Sequence, residues 1–108
     1  MKIPKSVRIG GVEYPIEYVP QLNDGVNMAY GYISYDDCVI RLSNTCGTAH
    51  EKRCRTLWHE ILHGIRYNAG LEIENEEEVV EMFAKGIYQV LQDNAGRLFD
   101  IVPGKEKE

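Results

Sequence analysis

Residues 55–70 read RTLWHEILHGIRYNAG, and this stretch decides the architecture of the second half of the chain. Its apolar residues recur at intervals of three and four, which is the spacing of one face of an α-helix. Three ionisable side chains, those of His59, Glu60 and His63, interrupt the apolar pattern. Because a helix of this kind usually buries its apolar face, we interpret the three polar residues as a candidate functional site.

Local signals predict the limits of this helix. Thr48 followed by Glu51 fits a capping box, in which side chains satisfy the first amides, so the helix is expected to begin near Ala49. Gly70 suits the left-handed residue that often ends a helix.

A second helix is predicted to follow Asn75, whose side chain is suited to capping, and to fade within residues 92–97. The glutamates at its start are favoured by the helix dipole. We expect Val80, Phe83 and Ile87 to face the sheet. The full apolar stripe of this helix comprises Val80, Phe83, Ala84, Ile87, Val90 and Leu91.

The N-terminal part of the chain carries the two-residue alternation of β-strands. Alternating apolar residues around a Gly-Gly pair predict one hairpin over residues 6–20, and Pro15 is expected to make its second strand an edge or bulged strand. Aromatic and β-branched residues predict a second hairpin over residues 28–44, with an Asp-Asp pair near its turn.

This order of elements predicts a single α+β domain over residues 1–108. Residues 1–45 are expected to form a small antiparallel sheet of about four strands in two hairpins. Residues 46–95 are expected to form two long antiparallel helices packed on one face of that sheet. Residues 100–108 are predicted to be a flexible, charged tail.

The composition narrows the classes of partner. With a net charge of −5, the chain offers no basic stripe for phosphates, so nucleic acid is not an expected partner. No apolar run is long enough to span a membrane, and the N-terminus lacks the apolar segment of a signal peptide, which favours a cytoplasmic location. Cys38, Cys46 and Cys54 do not have the spacing of a disulfide framework or a zinc knuckle, so we expect free thiols.

The two histidines of the opening stretch are four residues apart, which on a helix places their β-carbons about 5–6 Å apart on one face. Imidazoles placed in this way can present nitrogens to one Zn²⁺ ion. Glu60 is turned about 100° away around the axis, so it is poorly placed to bind the ion but can reach a water bound to the ion. The H-E-x-x-H pattern therefore predicts His59 and His63 as zinc ligands and Glu60 as general base. Hydrogen-bonded core histidines without a metal are the alternative interpretation.

A catalytic zinc usually has a third protein ligand, and the chain after His63 contains neither histidine nor cysteine. If the second helix runs back along the first after a tight connection, its position level with His63 is near Glu81. We therefore expect Glu81 as the third ligand, with Glu77 one turn earlier as the alternative. The wider set of candidates is Glu72, Glu74, Glu76, Glu77, Glu78 and Glu81.

These features together resemble the gluzincin metallopeptidases, in which a glutamate on the following helix completes an H-E-x-x-H site. The size and the order of elements are similar to those of the minigluzincins and, more loosely, of the ImmA/IrrE-like metallopeptidases of phages and mobile elements. The stretches LWHEILHGI and VVEMFAKGIYQVLQDN carry the resemblance over residues 56–94, and it is only architectural over residues 1–45. It implies a zincin-like fold, with His59, His63 and Glu81 as zinc ligands and Glu60 as general base.

The sequence thus predicts a zinc metallopeptidase that hydrolyses peptide bonds through a zinc-bound water activated by Glu60. Its expected partner is a peptide or protein substrate, and a phage-encoded protein acting in the host cytoplasm fits the resemblance. Two alternatives stay open. One is a non-catalytic protein in which zinc is structural, and the other is a latent regulatory protease that acts only when a partner releases it.

Overall fold

The computed structural model describes residues 2–20, 22–23 and 28–98, and these residues form the predicted α+β architecture. The tail predicted for residues 100–108 lies outside the described residues. In chain order the strands are β1 Ser6–Ile9, β2 Val12–Val19, β3 Leu22–Asn23, β4 Met28–Ala29, β5 Gly31–Ser34 and β6 Val39–Ser43, and the helices are α1 His50–Ala69 and α2 Glu76–Asp93.

Both predicted hairpins are present. β1 pairs with β2 in antiparallel register, and Ile9 lies opposite Val12. The turn between them contains Gly10 and Gly11, whose φ angles are 59° and 84°. Residues with a β-carbon rarely adopt such angles, which explains the glycine pair. β5 pairs with β6 in the same antiparallel way, on either side of the predicted Asp-Asp turn.

The main sheet is mixed, which corrects the prediction of an antiparallel one. Its strand order is β1-β2-β6-β5, and β2 pairs with β6 in parallel, with Ile16 beside Ile40. Alternating residues predict a local hairpin, but they carry no information on how one hairpin joins another. The first half of β2 pairs with β1 as far as Pro15, and the second half pairs with β6. β2 therefore pairs on one side at a time, which is the situation in which a strand tolerates proline.

α1 is the helix that packs on strands β1, β5 and β6 of the sheet. Gly64, inside α1, is explained by this packing, because a β-carbon there would lie 2.9 Å from Cδ1 of Ile9 and 3.1 Å from Cδ1 of Ile33. The glycine thus lets the helix approach the sheet closely at the level of the candidate site. The buried side chains of the core cluster are those of Ile9, Tyr14, Ile40, Leu42 and Leu57.

The helix limits agree with the prediction to within about a residue, although the caps differ in detail. The N-cap residue of α1 is Ala49, and no side-chain capping bond is formed there, so the capping box expected at Thr48 is absent. Gly70 ends α1 in a left-handed conformation with φ of 67°, as predicted. Asn75 precedes α2, but it is left-handed and its side chain makes no capping hydrogen bond.

α2 lies mainly against α1, and its buried residues are Val80, Ala84 and Tyr88. Phe83 is 59% exposed, so the expectation that it faces the sheet is wrong. The physical reason is that α1 occupies the helical contact with the sheet, which leaves α2 one helix further out.

Two further predictions concern the cysteines and membrane-spanning segments. No disulfide joins Cys38, Cys46 and Cys54, which all lie in the described part of the chain, as expected, and Cys54 is buried. Neither α1 nor α2 combines the length and the apolar character that crossing a membrane requires.

Candidate metal centre

Two histidines of α1 and one glutamate of α2 meet at the ends of their side chains. His59 and His63 lie one helical turn apart, with 3.2 Å between their Nε2 atoms. Oε2 of Glu77 lies 2.7 Å from Nε2 of His59, and Oε1 lies 3.1 Å from Nε2 of His63. These three residues, called the metal centre below, form a group that could hold a metal ion.

The spacing of the donor atoms fits a small divalent cation. Two ligands at about 2.0–2.1 Å from a tetrahedral Zn²⁺ ion are about 3.3 Å from each other. The three separations in the metal centre are 2.7, 3.1 and 3.2 Å. Imidazole nitrogen and carboxylate oxygen are also atoms that Zn²⁺ binds readily. Both histidines therefore lie where the sequence predicts metal ligands.

The second ring nitrogen of each histidine meets a different carboxylate of α2. Nδ1 of His59 lies 2.7 Å from Oε1 of Glu81, and Nδ1 of His63 lies 2.7 Å from Oε2 of Glu76. An ionised carboxylate only accepts hydrogen bonds, so Nδ1 is the donor in each pair. A neutral ring then keeps its lone pair on Nε2, which faces Glu77.

The result is a convergence of hydrogen-bond acceptors. If both imidazoles are neutral, as metal ligands must be, their Nε2 lone pairs point at the two carboxylate oxygens of Glu77. Acceptor atoms at this distance repel one another unless a cation or additional protons lie between them. A divalent cation satisfies all of them at once, so the donor set is suited to a metal ion.

The third member of the group that could hold a metal ion is Glu77, which the sequence analysis gave as the alternative to Glu81. Glu81 lies on the Nδ1 side of His59, and the point where the two Nε2 atoms meet is reached by Glu77. Glu81 therefore contacts the Nδ1 atom of His59, whereas Glu77 completes the group of possible ligands.

The connection between the helices explains the difference. Glu81 is level with His63 only if α2 starts beside the end of α1. Instead, Nε of Arg66 donates to Oε2 of Glu76 at 3.1 Å, and Nη1 of Arg66 donates to the carbonyl of Leu71 at 3.2 Å. The chain after α1 therefore runs back beside its last turns, and Glu76 at the start of α2 is already beside His63.

Arg66 and Glu76 are site residues whose roles the sequence analysis missed. The hydrogen bond with His63 is the main cause that lowers the pKa of Glu76, and the charge of Arg66 acts in the same direction against the effect of burial. Glu76 is thus kept as an ionised acceptor for His63. A basic residue in the last turn of a helix, followed by glutamates, was the available signal, but it is also typical of dipole stabilisation.

Glu60 is buried beside the metal centre. It is 6% exposed and lines both cavities that adjoin His59 and Glu77. Burial raises the pKa of Glu60 to about 7, although the charges of His59 and His63 act in the opposite direction. A carboxylate with this pKa gains and loses a proton near neutral pH, as the expected general base requires.

Tyr35 is a further neighbour of the site that the sequence analysis did not identify. Its hydroxyl donates to the backbone carbonyl of His63 at 3.0 Å, and its ring stacks on Tyr67 with 3.8 Å between the ring centres. Burial raises the pKa of Tyr35, so it remains a donor at neutral pH. No local pattern links Tyr35 to His63, because they belong to different elements.

Among the residues that the structure describes, two cavities of about 270 Å³ and about 520 Å³ border the metal centre. The larger one is bordered by Tyr32 and Ile33 of β5, which is an edge strand of the main sheet. At the start of β5, a β-carbon on Gly31 would lie 2.9 Å from Cγ2 of Thr56, so the glycine lets the strand approach α1. The residues that line both cavities are Gly31, His59, Glu60 and Glu77.

The site thus combines three candidate ligands, two carboxylates that hold the histidines, and one buried carboxylate beside them. α1 and α2 supply all six residues. Comparison with family models, curated proteins and solved structures gives no match to this chain.

Proposed function

We propose that this protein is a zinc-dependent metallopeptidase that hydrolyses peptide bonds. The observation that carries the proposal is the convergence of His59, His63 and Glu77 beside the buried carboxylate of Glu60. Catalytic zinc sites commonly have three protein ligands of this kind, whereas structural sites have four and usually include cysteine.

The chain's own residues suit a hydrolytic reaction. Zn²⁺ bound to such a site acts as a Lewis acid that acidifies water and polarises a carbonyl group. Glu60 takes a proton from the attacking water and later delivers it to the leaving amine, so Glu60 returns to its starting state after each reaction. Burial raises the pKa of Glu60 to about 7 in the metal-free protein, which is the environment of a carboxyl group that both takes up and releases a proton. Glu76 and Glu81 keep the two imidazoles in position.

The larger cavity offers a place for an extended peptide. Its wall includes Tyr32 and Ile33 of β5, and β5 is an edge strand of the main sheet. An edge strand presents unpaired backbone groups to which a peptide can add as a further strand. A peptide added there runs past His59 and Glu60, which line the same cavity.

Hydrolysis by the zinc-loaded protein tests the proposal. We expect cleavage of casein or of mixed peptides, loss of cleavage with a chelator, and recovery when Zn²⁺ is added. Glu60→Gln should keep the zinc content and the fold but lower the rate by about 10²–10⁴-fold, because only the general base is removed. Glu78→Gln is the matched control, since Glu78 is exposed in the first turn of α2, and it should keep the full rate.

Two results would contradict the proposal. An unchanged rate in Glu60→Gln would remove the assigned general base. A zinc-loaded protein that cleaves no peptide, with a fourth protein ligand in its zinc-bound structure, would make the metal structural.

A further inference from the structure

The smaller cavity beside the metal centre is lined by three basic side chains. Lys52 and Arg55 come from α1 and Lys85 comes from α2, and together they border a volume of about 270 Å³. We call these three residues the basic pocket. His59 and Glu77 line the same cavity, so a group bound in the pocket lies next to the metal centre. The chain as a whole is acidic, with a net charge of −5, so three basic side chains around one cavity contrast with its overall composition.

Arg55 is the residue of the basic pocket whose charge and N–H groups have the fewest partners. Its Nε atom is buried and has no hydrogen-bond partner among the residues that the structure describes. None of the ion pairs between those described residues includes Arg55. A buried N–H group without a partner is costly, and a planar guanidinium matches a carboxylate with paired hydrogen bonds. Because Arg55 lines the cavity and forms no ion pair with a described residue, its guanidinium is suited to receive a carboxylate from outside the chain, through the terminal Nη groups since Nε is enclosed.

Each of the two lysines has one neighbour at the cavity, a carboxylate for Lys85 and an aromatic ring for Lys52. Nζ of Lys85 lies 3.7 Å from Oε2 of Glu81, and Nζ of Lys52 lies 4.3 Å from the centre of the Tyr30 ring. The other carboxylate oxygen of Glu81 meets His59. Of the three glutamates that line this cavity, Glu81 is the one that forms an ion pair with a basic-pocket residue in the described part of the chain.

Two more glutamates line the cavity on the side of the metal centre, Glu60 and Glu77. Their two negative charges are matched by the two positive charges of a bound zinc ion. The basic pocket thus retains a positive charge in the zinc-loaded protein.

We propose that the basic pocket binds a carboxylate of the peptide substrate, from an acidic side chain or from the C-terminus, at a fixed distance from the bond that is cleaved. This inference rests on the proposed peptidase function and names its substrate class. Arg55 supplies paired N–H donors, and Lys52 and Lys85 supply charge. Sites for whole drug-sized ligands measure about 300–1,000 Å³. The cavity of about 270 Å³ is therefore of a size for one residue.

Four pools of hexapeptides separate the two sources of the carboxylate. Each pool carries either Glu or Gln at varied positions in an otherwise neutral sequence, and each ends in a free acid or an amide. The pools are incubated with the zinc-loaded protein, and the cleavage products are identified by mass spectrometry. Preference for Glu over Gln at one position assigns an acidic side chain, and preference for free acid over amide assigns the C-terminus. We expect a difference of about tenfold to a hundredfold, as for a hydrogen bond to a charged group.

Variants of the pocket connect the preference to its residues. Arg55→Gln should abolish the preference, with unchanged zinc content and thermal midpoint. Arg55→Glu should reverse it toward basic residues at the same position, which a simple loss of stability does not produce. Arg8→Gln is the matched control, because Arg8 is exposed and paired with Glu13 at 3.0 Å in the first hairpin, and it should keep the preference.

The outcomes distinguish this inference from the proposed function. Equal cleavage of all four pools, or an unchanged preference in Arg55→Gln, would overturn the basic pocket and leave the peptidase function intact. If no pool is cleaved, fluorescence anisotropy measures the binding of labelled pools to the zinc-loaded protein. Preferential binding of the acidic pools would then support the pocket, and equal or absent binding would overturn it. The peptidase function is contradicted if, in addition, the zinc-bound structure shows a fourth protein ligand.

Discussion

Oε1 of Glu81 lies 2.7 Å from Nδ1 of His59, on the opposite side of the ring from the Nε2 atom that meets Glu77. The arrangement is repeated at His63, whose Nδ1 atom meets Glu76. Each histidine is therefore fixed by one carboxylate and presents its other nitrogen to a common point. Carboxylates in this position orient a histidine and make it a stronger metal ligand.

Glu77 and Glu81 should differ in their effect on zinc affinity. Glu81→Ala removes a carboxylate that orients His59, so it should weaken zinc binding by about 10–100-fold. Glu77→Ala removes a candidate ligand and should weaken zinc binding further. Competition with a chromophoric chelator measures both affinities. A greater loss in Glu81→Ala than in Glu77→Ala would return Glu81 to the ligand position expected from the sequence.

Glu76 should contribute to zinc binding without touching the metal. Because it accepts a hydrogen bond from His63 and is held by Arg66, Glu76→Ala should lower the zinc affinity by about 10–100-fold at unchanged stoichiometry. Glu78→Ala, at an exposed position of the same turn, should have no effect. Nitrogen-15 NMR of the zinc-loaded protein should show a protonated Nδ1 on His63. A metal-bound Nδ1 would contradict the arrangement.

Glu60 should make the metal-free protein less stable as the pH rises. Burial raises its pKa from 4.5 to about 7, so the folded protein keeps this proton over a range in which the unfolded chain has lost it. The stabilising contribution is complete below the unfolded pKa of 4.5 and is lost as the pH rises through 7. The loss in the free energy of unfolding is on the order of 3 kcal/mol.

Urea unfolding in the presence of a chelator, near pH 5 and near pH 8, measures this loss. Glu60→Gln is the reference, because it differs from the wild type only in lacking the carboxyl group of residue 60. The glutamine variant should gain stability relative to the wild type between the two pH values. The same difference at both pH values would mean that the carboxyl group titrates normally in the folded protein.

Two glycine substitutions should have different effects on stability. Gly86 is exposed in α2, and a β-carbon there meets nothing within 4 Å, so Gly86→Ala should gain up to about 1 kcal/mol of helix stability. A β-carbon at Gly64 would lie 2.9 Å from Cδ1 of Ile9, so Gly64→Ala should lose about 1–3 kcal/mol relative to Gly86→Ala through overpacking. Thermal unfolding compares them. Equal midpoints would show that α1 can move away from the sheet at little cost.

The parts of the fold that could be predicted are those set by neighbours in sequence. Apolar spacing and Gly70 locate α1, and a Gly-Gly pair locates the first hairpin. The parallel pairing of Ile16 with Ile40 depends on how two separate hairpins join, and no local pattern encodes that. The exposure of Phe83 was missed for the same reason, because helical spacing identifies an apolar face but not what covers it.

The residues of the candidate site fall into the same two classes, those placed by neighbours in sequence and those placed by how separate elements join. His59, Glu60 and His63 share one and a half turns of helix, so helix geometry alone sets their relative positions. Whether Glu77 or Glu81 reaches the two Nε2 atoms depends on the path of the chain between the helices. The two glutamates are about one helical turn apart, so a shift of α2 by one turn would exchange them. Arg66, which holds that path through Leu71, therefore matters to the site although no motif contains it.

α2 lies mainly against α1, and three of its carboxylates face the two histidines of α1. A metal ion between His59, His63 and Glu77 would therefore cross-link two helices, in addition to any part in chemistry. Each local opening that separates α2 from α1 would have to release the ion, so its free energy would rise with the concentration of free zinc. Amide hydrogen exchange in α2 would then slow on zinc addition, while the β1–β2 hairpin would exchange as before. The supply of zinc would in this way set how firmly the outer helix is attached to the rest of the protein.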